Sequence, residues 1–373
     1  MTVRSSDNCP SRIGPVPEAS LVQRDSRQAP IVLFRRNPLK VVRDPALEAD
    51  ISNPFFGSRP ESMCLLQLDF TGAQPSSILQ SVAAMVRLLE RSHTGLRWQV
   101  GLGPTLFDRF SALPRPRALK LLRVNGDAAF GLMPNSGQSD VIIAIGEEWR
   151  IIIDTARRLV NLLKDSDFRL RDVHIGYDAL SDRDHSGFID GTSNLQELTP
   201  EQFAACVFVQ PEDDQPFAGG SYLVFRKYEE DLEMWNDLPE RVQERFVGRR
   251  KKSGSFLNGS FDWTPEARKT TLANAHILCA NPRETPPEHP DHWKGRVYRR
   301  GLKFTERGSE GLLRYGLLFL AVLRDPEVQF CRLHNERLLP DSGPKDSLLS
   351  SGYITPVCSA CYYLPPTTHI ERS

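Results

Sequence analysis

The first half of the chain alternates between strand-like and helix-like hydrophobic patterns. Residues 66–70 (LQLDF) alternate apolar and polar side chains, which predicts a half-buried strand. Residues 78–89 instead carry their apolar side chains at helical spacing, so we expect an amphipathic helix there. The same reasoning predicts strands at 97–100, 141–145 and 168–175 and a second amphipathic helix at about 147–163.

The second half repeats this rhythm. Its patterns predict strands at 204–209, 222–228 and 316–323, helices at 231–238, 240–246 and 326–337, and a closing extended stretch at 353–364. Mixed strands and helices in a similar order in both halves indicate an α+β architecture with mainly antiparallel sheets. The shared order permits an internal duplication without proving one.

The N-terminal 60 residues differ from the rest of the chain. They contain eight of the 28 prolines and little periodicity. Because proline removes a backbone donor and fixes φ, we expect an extended arm over residues 1–60, with order beginning near Ser62.

Charge, length and cysteine content narrow the class of protein. Lys plus Arg and Asp plus Glu each number 47 among 373 residues, so there is no basic excess of the kind that nucleic-acid binding needs. No apolar run approaches the roughly 20 residues of a membrane helix, and residues 1–20 lack a signal-peptide core. Seven cysteines are too few for a disulfide scaffold. We expect a soluble, cytoplasmic protein with reduced thiols and neither nucleic-acid nor membrane partners.

The densest polar cluster lies at residues 182–194 (DRDHSGFIDGTSN). As a calcium loop it lacks the bidentate Glu at position 12, where Ser193 stands, and the preceding segment is strand-like rather than helical. The alternative is a sharp turn at Gly187 and Gly191 that brings the backbone close to a planar cofactor and aims Asp190 into a pocket. Asp190 could equally close a turn.

Six ordered stretches resemble the dye-decolourising peroxidases, which are haem peroxidases. Residues 187–194 resemble the GxxDG signature of that family, and the resemblance extends over roughly residues 62–366. The other stretches are GGSYLVFR (219–226), VQERFVGRRK (242–251), AHI with ANPR (275–283), VYRRG (297–301) and the segment from Gly316 to Phe330.

This resemblance implies a fold of α+β class with two ferredoxin-like domains whose sheets are antiparallel, as in a dimeric α+β barrel. We therefore divide the chain into a Pro-rich arm (1–60), an N-terminal domain carrying the GxxDG loop (61–200) and a C-terminal domain that binds most of the haem (201–373). One haem b per chain is the implied cofactor.

The resemblance also assigns roles on the proximal side of the haem. His276 matches the axial ligand of the haem iron, a role that neutral imidazole fills in peroxidases. Such a histidine usually has an acceptor on its other nitrogen, and Asp325 matches the family's acidic position there. Asp325 could instead cap the helix that starts at Pro326.

On the distal side, the resemblance makes Asp190 the proton relay and Arg299 the stabiliser of charge on the leaving oxygen, with Arg300 as the alternative. Phe319 would wall the distal pocket and Arg249 would meet a haem propionate. Some family members carry Asn two residues after the distal arginine; Gly301 stands there instead.

The implied activity is reduction of H2O2 with one-electron oxidation of bulky dyes, phenolics or other donors through an oxyferryl intermediate. Tyr298 is a candidate for a surface electron relay, and the Cys358–Cys361 pair is interpreted as structural because residues three apart in a strand face opposite sides. Two alternatives remain: a deferrochelatase-like haem-binding protein, and a haem-free calcium-binding or structural protein. A homo-oligomer is compatible with the sequence, and the sequence does not identify an encapsulation partner.

Overall fold

A computed structural model describes residues 53–57, 59–93, 95–126, 130, 132, 135–178, 183–190, 195, 198–281, 289–308 and 311–366. Most of the predicted arm therefore lies outside the described residues. None of the helices in these ranges is long and apolar enough to cross a membrane.

The first half of the described chain contains four strands and two long helices. In chain order its elements are β1 (Ser62–Phe70), α1 (Pro75–Glu90), β2 (Arg97–Leu102), α2 (Pro104–Arg109), β3 (Val141–Glu147), α3 (Trp149–Leu163) and β4 (Phe168–Tyr177). The predicted strands and amphipathic helices of this half are present, each within a few residues of its expected ends.

The second half has strands of similar length but shorter helices. Its elements are α4 (Pro200–Val207), α5 (Pro211–Asp214), β5 (Ser221–Glu230), α6 (Leu232–Asp237), α7 (Glu240–Val247), α8 (Pro265–Thr270), α9 (His276–Cys279), β6 (Tyr298–Arg299), β7 (Leu302–Arg307), β8 (Leu313–Leu323) and β9 (Ile354–Leu364). Two π-helical turns, Glu327–Cys331 and His334–Leu338, lie between β8 and β9.

All strand pairs are antiparallel, and the two halves have the same strand order. In each half, the first strand lies between the third and the fourth, and the second lies beyond the third: β2-β3-β1-β4 and β7-β8-β5-β9. Single pairings, β2 to β9 at Leu102 and Tyr363 and β4 to β7 at Tyr177 and Lys303, join the halves. Eight strands thus close into a ring of two ferredoxin-like sheets, the expected α+β class.

Alternate residues of each strand pack into two different cores, one inside the ring and one outside it. On β1, Met63 and Leu65 join a cluster inside the ring, together with residues of the second half such as Phe225 and Leu320. Cys64 and Leu66 face outward and pack under α1 and α3. The outer face of the first half is therefore filled by its own helices.

The predicted strand at 204–209 is wrong, because residues 200–207 form α4. The run AACVFV has strand-like composition. However, Thr199 accepts a hydrogen bond from the Gln202 amide, the Gln202 side chain bonds back to the Thr199 amide, and Pro200 starts the first turn. This capping box fixes a helix start that outweighs the β-propensity of the apolar residues.

The described residues include 53–57, which belong to the predicted arm and precede Ser62, where order was expected to begin. Phe55 and Phe56 are buried in the inner core. The buried guanidinium of Arg300 donates from Nε to the Phe55 carbonyl at 2.7 Å and from Nη2 to the Gly57 carbonyl at 2.6 Å. Aromatic burial and these charge-assisted bonds hold the end of the arm in place.

Candidate active site

A cavity lies against the outer face of the second half of the sheet. Its volume is about 290 Å³, close to the lower end of the roughly 300–1,000 Å³ typical of small-molecule sites. Tyr228, Leu317 and Phe319 line it from the sheet. Ile277, Phe330 and Leu338 line it from the short helices opposite. Two apolar walls facing each other suit a flat, hydrophobic ligand.

Strand alternation decides which of two adjacent arginines reaches this cavity. β6 and β7 pair with β8 in one continuous register: Arg299 lies opposite Ala321 and Leu302 opposite Leu318. Successive side chains on this edge point to opposite faces. Arg299 lines the cavity, as Gly301 does, whereas Arg300 points to the segment at 55–57. Of the two arginines, Arg299 is therefore the one that lines the cavity.

His276 is the histidine that lines the cavity among the described residues, and it is the first residue of α9. Its Nδ1 lies 3.0 Å from Oδ2 of Asp346, which is completely buried. Asp346 is itself fixed, because its Oδ1 accepts the amides of Leu348 and Leu349 at 3.0 Å each. This carboxylate orients the ring and leaves Nε2 as the nitrogen available to a metal.

Asp325 was the wrong choice for the partner of His276. Its Oδ1 accepts the amides of Glu327 at 2.9 Å and Val328 at 3.1 Å, so it caps the helical segment that follows Pro326. The alternative interpretation, a helix cap, is the correct one. The carboxylate that meets His276 Nδ1 belongs to Asp346 instead.

The GxxDG loop presents several side chains to the cavity. Gly187 has a φ of +85°, a left-handed conformation that other residues rarely adopt, and a bridge joins Arg183 to Ile189. This turn places Ser186, Phe188 and Asp190 on the cavity wall, while Gly187 is not among the described residues that line it. Gly191 lies outside the described residues.

Asp190 is partly exposed and pairs with an arginine of the N-terminal segment. Arg59 Nη1 lies 2.8 Å from Asp190 Oδ2 and 3.4 Å from Asp178 Oδ1, and all three residues line the cavity. Burial alone would lower the pKa of Arg59, but the two carboxylates raise it. The Asp190 carboxylate is thus held beside a permanent cation.

Arg249 and Phe319 also line the cavity, as expected. Arg249 is buried, donates to the Gly254 carbonyl at 2.6 Å and stacks 4.4 Å above the Phe256 ring. Such contacts fix a guanidinium that recognises carboxylates well. The cavity therefore has an imidazole on its helix side and, elsewhere on its wall, three arginines and several carboxyl groups, among them Asp190.

Two other sequence candidates lie away from the cavity. Tyr298 is buried in the inner core, stacked on Phe56, so it is not at the surface where an electron relay would accept bulky donors. Cys358 belongs to the inner core cluster and Cys361 to the outer one, as alternation predicts. Burial raises the pKa of Cys358 to about 12, which makes it an unreactive thiol.

Sequence reasoning missed Arg59, Asp346 and two further carboxyl groups on the wall, Asp184 and Glu230. Arg59 and Asp346 lie in irregular segments far from their partners along the chain, so no local pattern reveals them. Glu230 alternates with Tyr228 at the end of β5, a spacing that could have placed it on the same face.

The residues present fit a haem. The imidazole of His276, oriented by a buried carboxylate, is the donor that haem iron takes in peroxidases. The apolar walls match the faces of a macrocycle, and Arg249 can meet an acidic substituent. Asp190 and Arg299 supply a proton acceptor and a fixed positive charge for a small ligand bound in the same cavity.

Comparison with known proteins points the same way. The family model described as Dyp-type peroxidase, C-terminal, matches residues 181–369. A dye-decolorizing peroxidase of Rhodococcus erythropolis is 34% identical over 280 residues, which cover 74% of this chain and 74% of that protein. A deferrochelatase of Escherichia coli is 30% identical, but over 166 residues that cover 41% of this chain and 38% of that one.

The fold has close counterparts among solved structures. A DypB variant from Rhodococcus jostii, determined in complex with heme, superimposes with a TM-score of 0.66 at 23% identity, covering 86% of this chain and 97% of that one. At this identity the likeness concerns the fold, which agrees with the two ferredoxin-like sheets described above.

Proposed function

The chain belongs to the dye-decolorizing peroxidase family and is a haem-dependent peroxidase, and we propose that its cavity holds one haem b on His276 and reduces H2O2 there. The single observation that carries this proposal is the convergence on one cavity of His276, Asp190 and Arg299, which come from three separate segments. The likeness to dye-decolorizing peroxidases also extends over more of the chain than the likeness to deferrochelatases.

His276 and Asp346 would hold the haem iron. Because Asp346 occupies Nδ1, His276 would bind through Nε2, and the buried carboxylate would increase the basicity of the ring. Arg249 would pair with a propionate, and Phe319 would cover the distal face. The bound haem supplies the electrons that break the O–O bond of peroxide.

Asp190 and Arg299 would handle protons and charge. The Asp190 carboxylate would take the proton from one peroxide oxygen and return it to the other, so that the departing oxygen leaves as water. The Arg299 guanidinium would stabilise negative charge on the departing oxygen without titrating itself. Overall, H2O2, two protons and two electrons from one-electron donors give two molecules of water.

The test is rapid mixing of the haem-reconstituted protein with H2O2, followed by the haem absorption change and by dye oxidation. We expect Asp190→Asn and Arg299→Leu each to slow the reaction about 10²–10⁴-fold while haem content stays at one per chain. Arg307→Leu, at the exposed end of β7, is the control and should react like the wild type. A wild-type protein that binds haem but reacts no faster than free haem would favour the haem-carrier alternative.

The proposal also includes the limits of the two domains and the cellular location of the protein. We keep the division at about residue 200, which the repetition of one strand order on each side supports. A cytoplasmic location is supported by the cysteines of the described residues, which are buried free thiols.

A further inference from the structure

Besides Asp190 and Asp178, which both pair with Arg59, two carboxyl groups line the cavity and have no role in the function proposed above. Asp184 comes from the GxxDG loop, and Glu230 is the last residue of β5. Lys303 of β7 and Tyr353, just before β9, line the same part of the wall. We refer to Asp184 and Glu230 as the acid pair.

The two acids differ in how the protein holds them. Asp184 Oδ1 accepts the hydroxyl of Ser186 and the amide of Phe188, the latter at 3.1 Å, so the loop itself fixes it. In contrast, Oε2 of Glu230 and the hydroxyl of Tyr353 are buried and make no close hydrogen bond among the described residues, and the two side chains interact with each other. Tyr353 is only 2% exposed. Buried polar atoms on a cavity wall call for water or a ligand there.

The surroundings of the acid pair raise the pKa of both acids. Lys303 is the cation that acts on both acids, and its ammonium also donates to the Arg183 carbonyl. Burial and the Asp184 carboxylate together raise the pKa of Glu230 to about 8, against the opposing effects of Tyr353 and Lys303. Burial and the Asp190 carboxylate likewise raise the pKa of Asp184 to about 6, against the opposing effects of the Ser186 and Phe188 hydrogen bonds and of Lys303. Tyr315 lies opposite Glu230 on β8.

We propose that Glu230 is a proton-relay residue, which stores a proton in the cavity and passes it through Asp184 and cavity water towards Asp190. The inference rests on the function proposed above, because that reaction consumes two protons for each H2O2 reduced to water. In each transfer the O–H bond of the protonated Glu230 carboxyl group breaks, and the proton moves through Asp184 and cavity water towards Asp190. Solvent then returns a proton to Glu230. Glu230 and Tyr353 have buried polar atoms on the cavity wall without a close hydrogen bond, and these atoms mark the place where water joins this path.

A purely structural role for the acid pair is the competing explanation. Asp184 clearly holds the loop turn through Ser186 and Phe188, so its replacement would disturb the fold of the loop. Glu230 makes no such bond through Oε2, so Glu230→Gln keeps the shape of the wall and removes only the titratable proton of the carboxyl group. Glu229 is the matched control, because it is the adjacent residue on β5 and pairs with Arg314 at 2.9 Å.

The first measurement needs no haem. Infrared difference spectra of the haem-free protein between pH 6 and pH 9.5 should contain the carbonyl stretch of a protonated buried carboxyl group. We expect the part of this band that titrates near pH 8 to disappear in Glu230→Gln and to persist in Glu229→Gln. Persistence of the whole band in Glu230→Gln would overturn the proposal, whatever the protein does with peroxide.

The second measurement is the pH profile of turnover by the haem-loaded protein. Wild-type kcat should fall as pH rises through about 8, where Glu230 loses its proton. Glu230→Gln should lack this step and have a kcat about tenfold lower at pH 7, since general acid catalysis contributes about 10²–10⁴-fold and water replaces part of it. Glu230→Asp should restore part of the rate. An unchanged profile in Glu230→Gln would contradict the relay, whereas absence of turnover in the wild type would contradict the peroxidase function instead.

Discussion

The two halves of the ring have one strand order but cover their outer faces in different ways. In the first half, α1 has 16 residues and α3 has 15, and both pack their apolar faces on the sheet. In the second half, the corresponding connection between β5 and β7 is broken into helices of six, eight, six and four residues. Short helices cannot fill the same face, and the cavity occupies the space left between them and the sheet.

This difference shows how one topology can serve two purposes. The first half gains stability by burying its outer face under two long amphipathic helices. The second half leaves aromatic and aliphatic side chains of β5 and β8 on a cavity wall, where a cofactor can cover them. Function therefore follows from what lies over the sheet rather than from the strand order, which both halves share.

The largest effect on stability should come from a substitution in the first half, whose outer face is covered by α1 and α3 (the filled half). Ile152 of α3 is completely buried in the outer core, so Ile152→Ala should lower the free energy of unfolding by about 2–5 kcal/mol. Ile153 is the next residue on the same helix and is 38% exposed, so Ile153→Ala should have a much smaller effect. Chemical denaturation measures both. A weaker effect for Ile152→Ala than for Ile153→Ala would contradict the assignment of this face.

A substitution in the second half, which contains the cavity (the open half), should change haem affinity instead. Asp346→Asn preserves the size of the side chain but weakens its hold on His276 Nδ1, and we expect haem affinity to fall about 10–100-fold. Titration of the haem-free protein with haem gives this value. An unchanged affinity would mean that Asp346 does not act through His276. Ile152→Ala should leave haem affinity nearly unchanged, which separates the roles of the two halves.

The smallest expected effect is on stability, and it distinguishes Asp325 from Asp346, two acids of the open half. Asp325→Ala removes the cap on the Glu327 and Val328 amides and should cost about 1 kcal/mol of stability. Haem affinity should stay at the wild-type value, in contrast to Asp346→Asn. If Asp325→Ala weakened haem binding as strongly as Asp346→Asn, the separation between cap and histidine partner would fail.

Local patterns predicted most of the secondary structure. Ile78 and Leu89 belong to an apolar stripe that a helix alone can bury, and α1 is present as expected. In LKFTER (302–307), Leu302 and Phe304 alternate with polar residues, and this strand signal was overlooked although it completes the second sheet. At 204–209, by contrast, composition was misleading because the capping box begins upstream, at Thr199.

The site residues that belong to sequence motifs were predicted, and those that only the fold brings into the site were missed. His276, Asp190 and Arg299 belong to recognisable stretches, and all three line one cavity. Asp346 lies 70 residues from His276 along the chain, and their contact depends on the path of the π-helical segment between β8 and β9. No pattern in a single sequence reports such a distant pairing, so a nearby acid, Asp325, was chosen in its place.

The central claim is that His276 in the open half holds one haem per chain. The most direct test is titration of the haem-free protein with haem, following the Soret band in the wild type, in His276→Ala and in His289→Ala, an exposed histidine outside the cavity wall. We predict a Soret band that saturates at one haem per chain in the wild type and in His289→Ala, and loss of that stoichiometric binding in His276→Ala. Equal saturation in all three proteins, or no Soret band in the wild type, would contradict the account.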